Sequence, residues 1–280
     1  MLDGFEDGYA EVNGTRLHYK AGGDGAPLVI MDGWPRTSHG LHKIMPLLAE
    51  RFRVIAVDYR GMGQSDKPKD GYDKKNMAKD LHQLVHELGH EQVNLAGGDV
   101  GAMVAYAFAA NYPDATRKLA LWEGGPFSQI FLDVISPFPK PGEPNAFWYP
   151  LSQIDDLPQK LLTGRFRHII DWTAEHLALH PERISEESRA LYTAAYNEAD
   201  AVHAAFALYR TFHQDLADNE SYPPLDMPVL GIGAQHIGVV RESMAGKASD
   251  IRFSVIEDSG HYIAEENPRA LADELVKFFG

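Results

Sequence analysis

Three side chains in this sequence combine reactive chemistry with the local spacing that chemistry needs: Asp99, Glu123 and His261. Asp99 stands in Gly97-Gly98-Asp99-Val100-Gly101, just after the apolar run Val93 to Ala96. Small residues on both sides let a strand turn sharply into a helix with one side chain held at the apex. An aspartate that merely capped the helix would need no such glycines. A carboxylate at that apex is ionised at neutral pH and can attack a saturated carbon in line, leaving an alkyl ester on the enzyme. His261, in Asp258-Ser259-Gly260-His261-Tyr262, lies one strand–helix unit from the last residue, where a general base can activate the water that hydrolyses such an ester. After Val229 to Ile232 the chain reads Gly233-Ala234-Gln235-His236, with no acid to hold the imidazole. Glu123, which ends the apolar run Leu119 to Trp122, is the expected orienting acid, since Glu257 and Asp258 lie too near His261 to reach its far nitrogen. Gly33-Trp34-Pro35 follows Leu28 to Met31 and can offer the Trp34 backbone N–H, paired with that of Val100, to a developing oxyanion. The Trp34–Pro35 bond is a candidate for the cis form.

These residues need a scaffold that gathers strand ends. Short apolar runs at Leu28 to Met31, Val54 to Val57, Val93 to Ala96, Leu119 to Trp122, Val229 to Ile232 and Phe253 to Ile256 are bounded by glycine or acids, as expected for a parallel sheet covered on both faces. Helical stretches are expected at Gly40 to Arg51, Lys75 to Leu88, Ala102 to Asn111 and Pro268 to Phe279. Strands alternating with helices imply a doubly wound α/β fold, whose ligands bind at the carboxyl ends of the strands. From Pro126 to Ser221 the rhythm breaks. A proline-rich loop (Pro137, Pro139, Pro141, Pro144) precedes helices expected near Gln159 to His168, Ile170 to Ala178, Glu186 to Asn197 and Asp200 to Gln214. The expected organisation is a core of 1–125 and 222–280 with an all-helical cap, 126–221, over the strand ends.

Composition narrows the function. There are 40 Asp plus Glu against 26 Lys plus Arg, a formal charge of −14 over 280 residues, which argues against a nucleic-acid or anionic-membrane surface. With no cysteine, thiolate nucleophiles, disulfides and cysteine zinc sites are excluded. The proposed chemistry needs no metal and no cofactor. The acidic start, Met1-Leu2-Asp3-Gly4, is unlike a signal peptide, and no apolar stretch reaches bilayer-spanning length, so a cytoplasmic location is expected.

With these residues in place, the sequence resembles the α/β-hydrolase superfamily, and within it the epoxide hydrolases and dehalogenases that use an aspartate nucleophile. The matching pieces are Gly33-Trp34-Pro35, the run Asp58-Tyr59-Arg60-Gly61-Met62-Gly63-Gln64-Ser65-Asp66-Lys67-Pro68, Gly98-Asp99-Val100-Gly101 and Gly260-His261. The late acid Glu123 is similar to the branch containing fluoroacetate dehalogenase and the Cif-type epoxide hydrolases. In that branch a lid helix carries a substrate-facing tyrosine, which Phe206-Ala207-Leu208-Tyr209-Arg210 resembles, and Phe147-Trp148-Tyr149 resembles its other lid motif. The resemblance implies Tyr209 as proton donor to an epoxide oxygen, with Trp148 as a candidate second donor. Phe127, Phe147, Tyr149 and Phe206 are expected to wall an apolar pocket. Three departures stand out: Asp32 and Gly98 where relatives usually have His, and Phe147 where they usually have a third. Asp32 is expected to add negative charge near the pocket mouth.

The leaving group selects the reaction. An epoxide needs a hydrogen-bond donor at its oxygen, which Tyr209 supplies. Halide release in these relatives uses a Trp right after the nucleophile, and haloacid binding uses Arg shortly after it. Here Val100 and Met103 fill those places. Epoxide hydrolysis is the favoured expectation, and haloalkane or haloacid dehalogenation the alternative. A non-catalytic ligand-binding member of the superfamily is the third reading, resting on Asp32 and Gly98. The expected substrate is a small molecule, a bulky apolar or aromatic epoxide, and the oligomeric state is left open, a homodimer included.

Overall fold

Alternation of polar and apolar residues on either side of Asn13-Gly14 builds a hairpin at the start of the chain, β1 (Phe5–Val12) and β2 (Thr15–Gly22). Asn13 and Gly14 both take positive φ, 46° and 75°, the geometry a two-residue hairpin turn requires. The computed structural model describes residues 2–134 and 146–280. The remaining strands are β3 (Ala26–Met31), β4 (Phe52–Asp58), β5 (Val93–Gly98), β6 (Thr116–Trp122), β7 (Val229–Gly233) and β8 (Ile251–Val255). They form one eight-stranded sheet in the order β1-β2-β4-β3-β5-β6-β7-β8. Pairs involving β2 are antiparallel and all others are parallel. This is the mostly parallel α/β architecture expected of the sequence.

The order places the site. After β3 the chain crosses to β4 on one side, and β5 then returns to pair with β3 on the other. Such a reversal opens a crevice at the carboxyl ends of the two strands. Those ends carry Gly33-Trp34 and Asp99. Register does the rest: Met31 pairs with Gly97, Gly98 with Trp122 and Trp122 with Ile232, so β3, β5, β6 and β7 all end at one level.

Between β6 and β7 every element among the described residues is a helix, from Gln129–Val134 through Trp148–Ser152, Leu157–Leu162, Arg167–Leu177, Glu186–Tyr196 and Ala199–Arg210 to Phe212–Ser221. The proline-rich loop expected at Pro137 to Pro144 lies outside the described residues. One hydrophobic cluster joins this insertion to the sheet, with Phe166, Ile170, Tyr192 and Phe206 packed in the same core as Met31, Trp34 and Val100. A second cluster, containing Ile30, Ala96, Ala120 and Leu275, fills the opposite face. No helix among the described residues is long and apolar enough to cross a membrane.

Several boundaries differ from those expected. The stretch Gly40 to Arg51 is a 3-10 turn, Ser38–Leu41, followed by a short helix, Met45–Ala49. Pro46 sits in the first turn of that helix, where its missing N–H costs nothing, so a new helix starts there. Asp200 to Gln214 divides at Thr211. There the Lys74 ammonium takes the Leu208 carbonyl at 2.7 Å and Asp215 N–H bonds Thr211 O at 2.8 Å. The stretch Gln159 to His168 ends early, because Gly164 turns with φ 73° and a new helix begins at Arg167. The hairpin and the helix Ile237–Ser243 were not anticipated.

Lys74 and Asp215, 2% and 1% exposed, pair at 2.9 Å between helix Lys74–Glu87 and the insertion. A buried ion pair is weak evidence of net stability, but removing one partner strands the other. Lys74→Met should therefore lower unfolding free energy by about 3–5 kcal/mol, read from the urea midpoint. A change below about 1 kcal/mol would mean the pair is not holding the insertion down.

Candidate active site

Asp99 occupies the turn between β5 and helix Val100–Asn111 with φ 52° and ψ −120°, a region that L-residues avoid at a cost of order 1–3 kcal/mol. The conformation turns its side chain out of the sheet while its backbone N–H still bonds Trp122 O at 3.1 Å. Close approach of the β3 loop requires glycine at position 33, since a Cβ there would lie 2.2 Å from the Asp99 Cβ. That approach brings Trp34 N–H to Asp99 Oδ1 at 3.0 Å, and the Val100 N–H also bonds this carboxylate. The Trp34–Pro35 peptide is cis.

His261 stands on the other side of Asp99. Its Nε2 lies 3.4 Å from Asp99 Oδ2, and its Nδ1 lies 3.3 Å from Glu123 Oε2. Glu123 also has positive φ, 48°, directly after β6. Its carboxylate accepts Ala234 N–H at 2.5 Å, and its Oε2 faces His236 Nδ1 at 2.7 Å, closer than His261. Burial would raise the Glu123 carboxyl, but the bonds from His236 and His261 outweigh it and hold it at about 2. Burial would likewise lower His261, yet the carboxylates on both sides push it up to about 9. Asp99 falls below its ordinary value, because hydrogen bonding to His261, that imidazole's charge, the Val100 N–H and the charge of Arg36 override burial. The result is an alternating line of charge, carboxylate–imidazolium–carboxylate.

A second carboxylate fixes the histidine loop. Glu266, 3% exposed, accepts Gly260 N–H at 3.0 Å and Tyr262 N–H at 3.0 Å, the amides flanking His261. It also accepts Leu179 N–H at 2.8 Å and His180 N–H at 2.9 Å from the insertion. His261 N–H bonds Leu177 O at 2.9 Å. Asp258 instead pairs with His180 and Arg183, at 2.7 and 2.9 Å, away from His261.

Aromatic residues of the insertion close the site. Tyr209 packs edge-on against Trp34, centroids 5.5 Å apart, and against Tyr149 at 5.1 Å. Burial, reinforced by the nearby charge of Asp99, drives both phenol pKa values upward, so both stay protonated. Trp148 packs on Trp34 at 5.9 Å and hydrogen-bonds Tyr149. A cavity of about 210 Å3 is lined by Phe127, Leu132, Tyr149, Gln153, Tyr209 and Phe212, among others. Phe127 and Tyr149 line this cavity, whereas Phe147 packs against Trp148 and Trp172, and Phe206 against Trp34.

One expectation changes. Asp32 does not face a pocket mouth. It is fully buried, 2.8 Å from Arg36, because its side chain turns inward to accept Gly33 N–H. The backbone packs tightly at Gly98, where a Cβ would meet the Trp122 indole nitrogen at 2.1 Å. Sequence reasoning also missed His236 and Glu266. His236 carried a faint signal, as the first titratable residue after β7. Glu266 carried none, since its role is to accept backbone N–H groups. Glu123, His236 and His261 are the one group among the described residues able to offer a metal three ligand atoms, all within 4.8 Å of one another, and these atoms are already engaged in mutual hydrogen bonds.

A family model described as alpha/beta hydrolase fold matches residues 26–268. The chain is 31% identical over 282 residues to a soluble epoxide hydrolase of Corynebacterium sp. (strain C12), covering 96% of each chain. It is 26% identical over 304 residues to a fluoroacetate dehalogenase of Burkholderia sp., covering 99% of this chain and 95% of the relative. The crystal structure of wild-type Cfl2 from Burkholderia cenocepacia superimposes with a TM-score of 0.89 at 35% identity, covering 100% of this chain and 97% of that one.

Glu266→Ala would strand four backbone N–H groups at about 1–3 kcal/mol each when fully buried. Even with partial relief by water, thermal denaturation should show a loss of at least about 2 kcal/mol, and the His261 imidazole resonances should broaden. Wild-type stability and sharp His261 resonances would refute this role for Glu266.

Proposed function

The chain belongs to the alpha/beta hydrolase fold family, and on that footing we propose that it hydrolyses epoxides to vicinal diols through an ester on Asp99. Residues 1–125 and 222–280 serve as the catalytic core, and 126–221 as a cap over the strand ends. The observation that carries this reading is the apex residue. It is a carboxylate, with one oxygen held by Trp34 N–H at 3.0 Å and the other facing His261 at 3.4 Å. A carboxylate attacking an acyl carbon yields only a labile anhydride, whereas at a saturated carbon it yields a stable ester for water to cleave.

The chemistry balances in two steps. Asp99 forms a bond to one epoxide carbon, the ring C–O bond breaks, and the oxygen takes the proton of a cap phenol. The tyrosinate regains its proton from solvent. Tyr209 and Tyr149 are the donors this reading favours. Both face the charge of Asp99, and Trp148, whose indole bonds Tyr149, supports that phenol. Water then attacks the Asp99 ester carbonyl and gives a proton to His261. The oxyanion is held by Trp34 and Val100 N–H groups, and collapse expels the diol, which receives the proton from His261, while the Asp99 carboxylic acid so formed gives its own proton to His261 and restores the ion pair. Net, one epoxide and one water become one diol.

The charge line assigns an order to these events. While Asp99 is ionised, His261 is held as imidazolium, at about 9. Alkylation cancels the Asp99 charge, so the support from that side vanishes and the imidazole loses its proton more easily. His261 thus becomes a base only once there is an ester to hydrolyse, and Glu123, anionic down to about 2, stabilises the imidazolium formed in that step. Similarity to a fluoroacetate dehalogenase keeps a second reading in view, halide displacement by the same carboxylate. Against it, Val100 and Met103 bring no donor or cation after the nucleophile, and Arg36 is committed to Asp32.

His261→Gln incubated with an aryl epoxide should gain the mass of the substrate, because ester hydrolysis slows by about 10²–10⁴-fold while ester formation survives. No mass gain across a broad epoxide panel, with halide release from a haloacid, would transfer the assignment to dehalogenation. The pH dependence has a defined sign. Asp99 titrates below its ordinary 3.8, so ester formation should hold its rate down to about pH 4 and fall only below it. Single-turnover ester hydrolysis should rise with pH and level off below pH 9, where His261 of the free enzyme titrates. An inflection at or above 9 in that step would contradict the proposed coupling.

A further inference from the structure

A second set of charges lies behind the nucleophile, and the reaction above makes no use of it. Asp32 ends the β3 region with 0% exposure, and Arg36, four residues on, is 2% exposed. Arg36 Nη2 stands 2.8 Å from Asp32 Oδ1, which also accepts Gly33 N–H at 2.9 Å. The pair therefore closes the Gly33-Trp34-Pro35 turn, the turn that presents Trp34 N–H to Asp99. On its other side the Arg36 guanidinium lies over the ring of Tyr262, 4.3 Å from the centroid, next in sequence to His261. The Arg36 carbonyl accepts the Tyr196 hydroxyl of the insertion at 2.7 Å. Space around Asp32 is reserved, since a Cβ at Gly40 would lie 2.0 Å from its Oδ2.

The surrounding charges are few, and of them Glu265 is buried and Lys43 half-buried. Glu265, 1% exposed, faces Arg36 with Tyr192 beside it, and burial pushes its carboxyl up to about 7. Lys43 donates to the Glu265 carbonyl oxygen at 2.9 Å and to that of Arg183 at 2.8 Å, not to the Glu265 carboxyl. One guanidinium thus serves two carboxyls, and the one bonded to it is Asp32. Arg36 favours the ionised form of Asp99, while Asp32 and Asp99 repel one another as like charges, and this repulsion, after burial, raises the Asp32 carboxyl.

We infer that the buried Asp32–Arg36 pair is a positioning unit for Asp99, fixing the turn that supplies the Trp34 N–H and setting the charge the nucleophile feels. The inference deepens the reading of Asp99 as nucleophile and rests on it. Arg36 is placed to do this for both halves of the reaction, because the same guanidinium braces the His261 loop through Tyr262. The pair also gives a physical reason for the acid at position 32, which closes the turn through Gly33 N–H and anchors the guanidinium.

Titration of the Asp99 carboxyl by 13C NMR, its resonance identified by loss in Asp99→Asn, requires no substrate. Arg36→Met should move that titration to higher pH, Asp32→Asn should move it to lower pH, and the double variant should lie between them. In a His261→Gln background each single variant should form the Asp99 ester about 10- to 100-fold more slowly, with substrate saturation unchanged. Arg36→Lys keeps the charge but loses the planar guanidinium that lies over Tyr262 and meets Asp32 through Nη2. It should leave the Asp99 titration close to wild type while still slowing ester formation, and it stands in for Arg36→Met should that variant fail to fold. Shifts of the same sign in both single variants, or no shift in either, would overturn the inference. Opposite shifts in a parent that forms no ester with any epoxide would instead remove the nucleophile reading and leave the electrostatic role of the pair in place.

Discussion

A buried imidazole held between the buried carboxylate of Glu123 and the partly exposed carboxylate of Asp99 is the interaction on which the site depends. Each of these groups would be costly to bury alone, and each is made tolerable by its neighbour. Asp99 and Glu123 hold His261 as a cation, and His261 holds both of them as anions. The line is one charge out of balance, and it is that excess that makes it reactive. When Asp99 spends its charge in forming a bond, the imidazole loses one of its two supports and changes from a held cation into a base. His236 adds a third contact to the line and keeps the far carboxylate in place, at 2.7 Å from Glu123.

Much of the remaining structure serves to bring these groups to one level and keep them there. Four parallel strands end together, and the reversal of order at β3 and β5 opens the crevice in which Asp99 and Trp34 meet. Two residues, Asp99 and Glu123, take strained positive φ where strands end, a distortion the surrounding sheet and helices must sustain. Around this centre sit two further carboxylates of different kind. Glu266 grips backbone amides on both sides of His261 and in the insertion. Asp32 grips Gly33 N–H and Arg36. Both act on loops rather than on a reacting atom, Glu266 tying the insertion to the histidine loop and Asp32 bracing the turn.

The strand pattern, the glycines around Asp99 and the spacing of His261 from the last residue were legible because they are local, a few residues of composition that force a turn or fill a sheet. The parallel strands carry continuous apolar runs, and six of the eight could be read from them. The first two could not be read in that way, since both mix charged with apolar residues, Glu6, Asp7 and Glu11 in the edge strand β1 and Arg16 and Lys20 in β2, although Asn13-Gly14 announces their turn. Helix ends depended on contacts far away in sequence. Thr211 breaks a helix because Lys74, 137 positions earlier, reaches it at 3.1 Å. The supporting charges were the least visible: nothing local to Asp32 reveals that Arg36 and Gly40 shape its surroundings, and Glu266 has no chemistry in sequence beyond being one acid among 40.

Isotope labelling of the nucleophile tests the central claim most directly, that a carboxylate oxygen of Asp99 attacks carbon. The wild-type protein would be turned over many times on an aryl epoxide in water enriched in 18O, then digested and the Asp99 peptide weighed. Attack by Asp99 followed by hydrolysis at the ester carbonyl predicts heavy oxygen in the Asp99 carboxylate, rising with turnover number. Heavy oxygen found in the diol alone, with the Asp99 peptide at natural mass, would mean that water attacks the epoxide directly and would contradict the account.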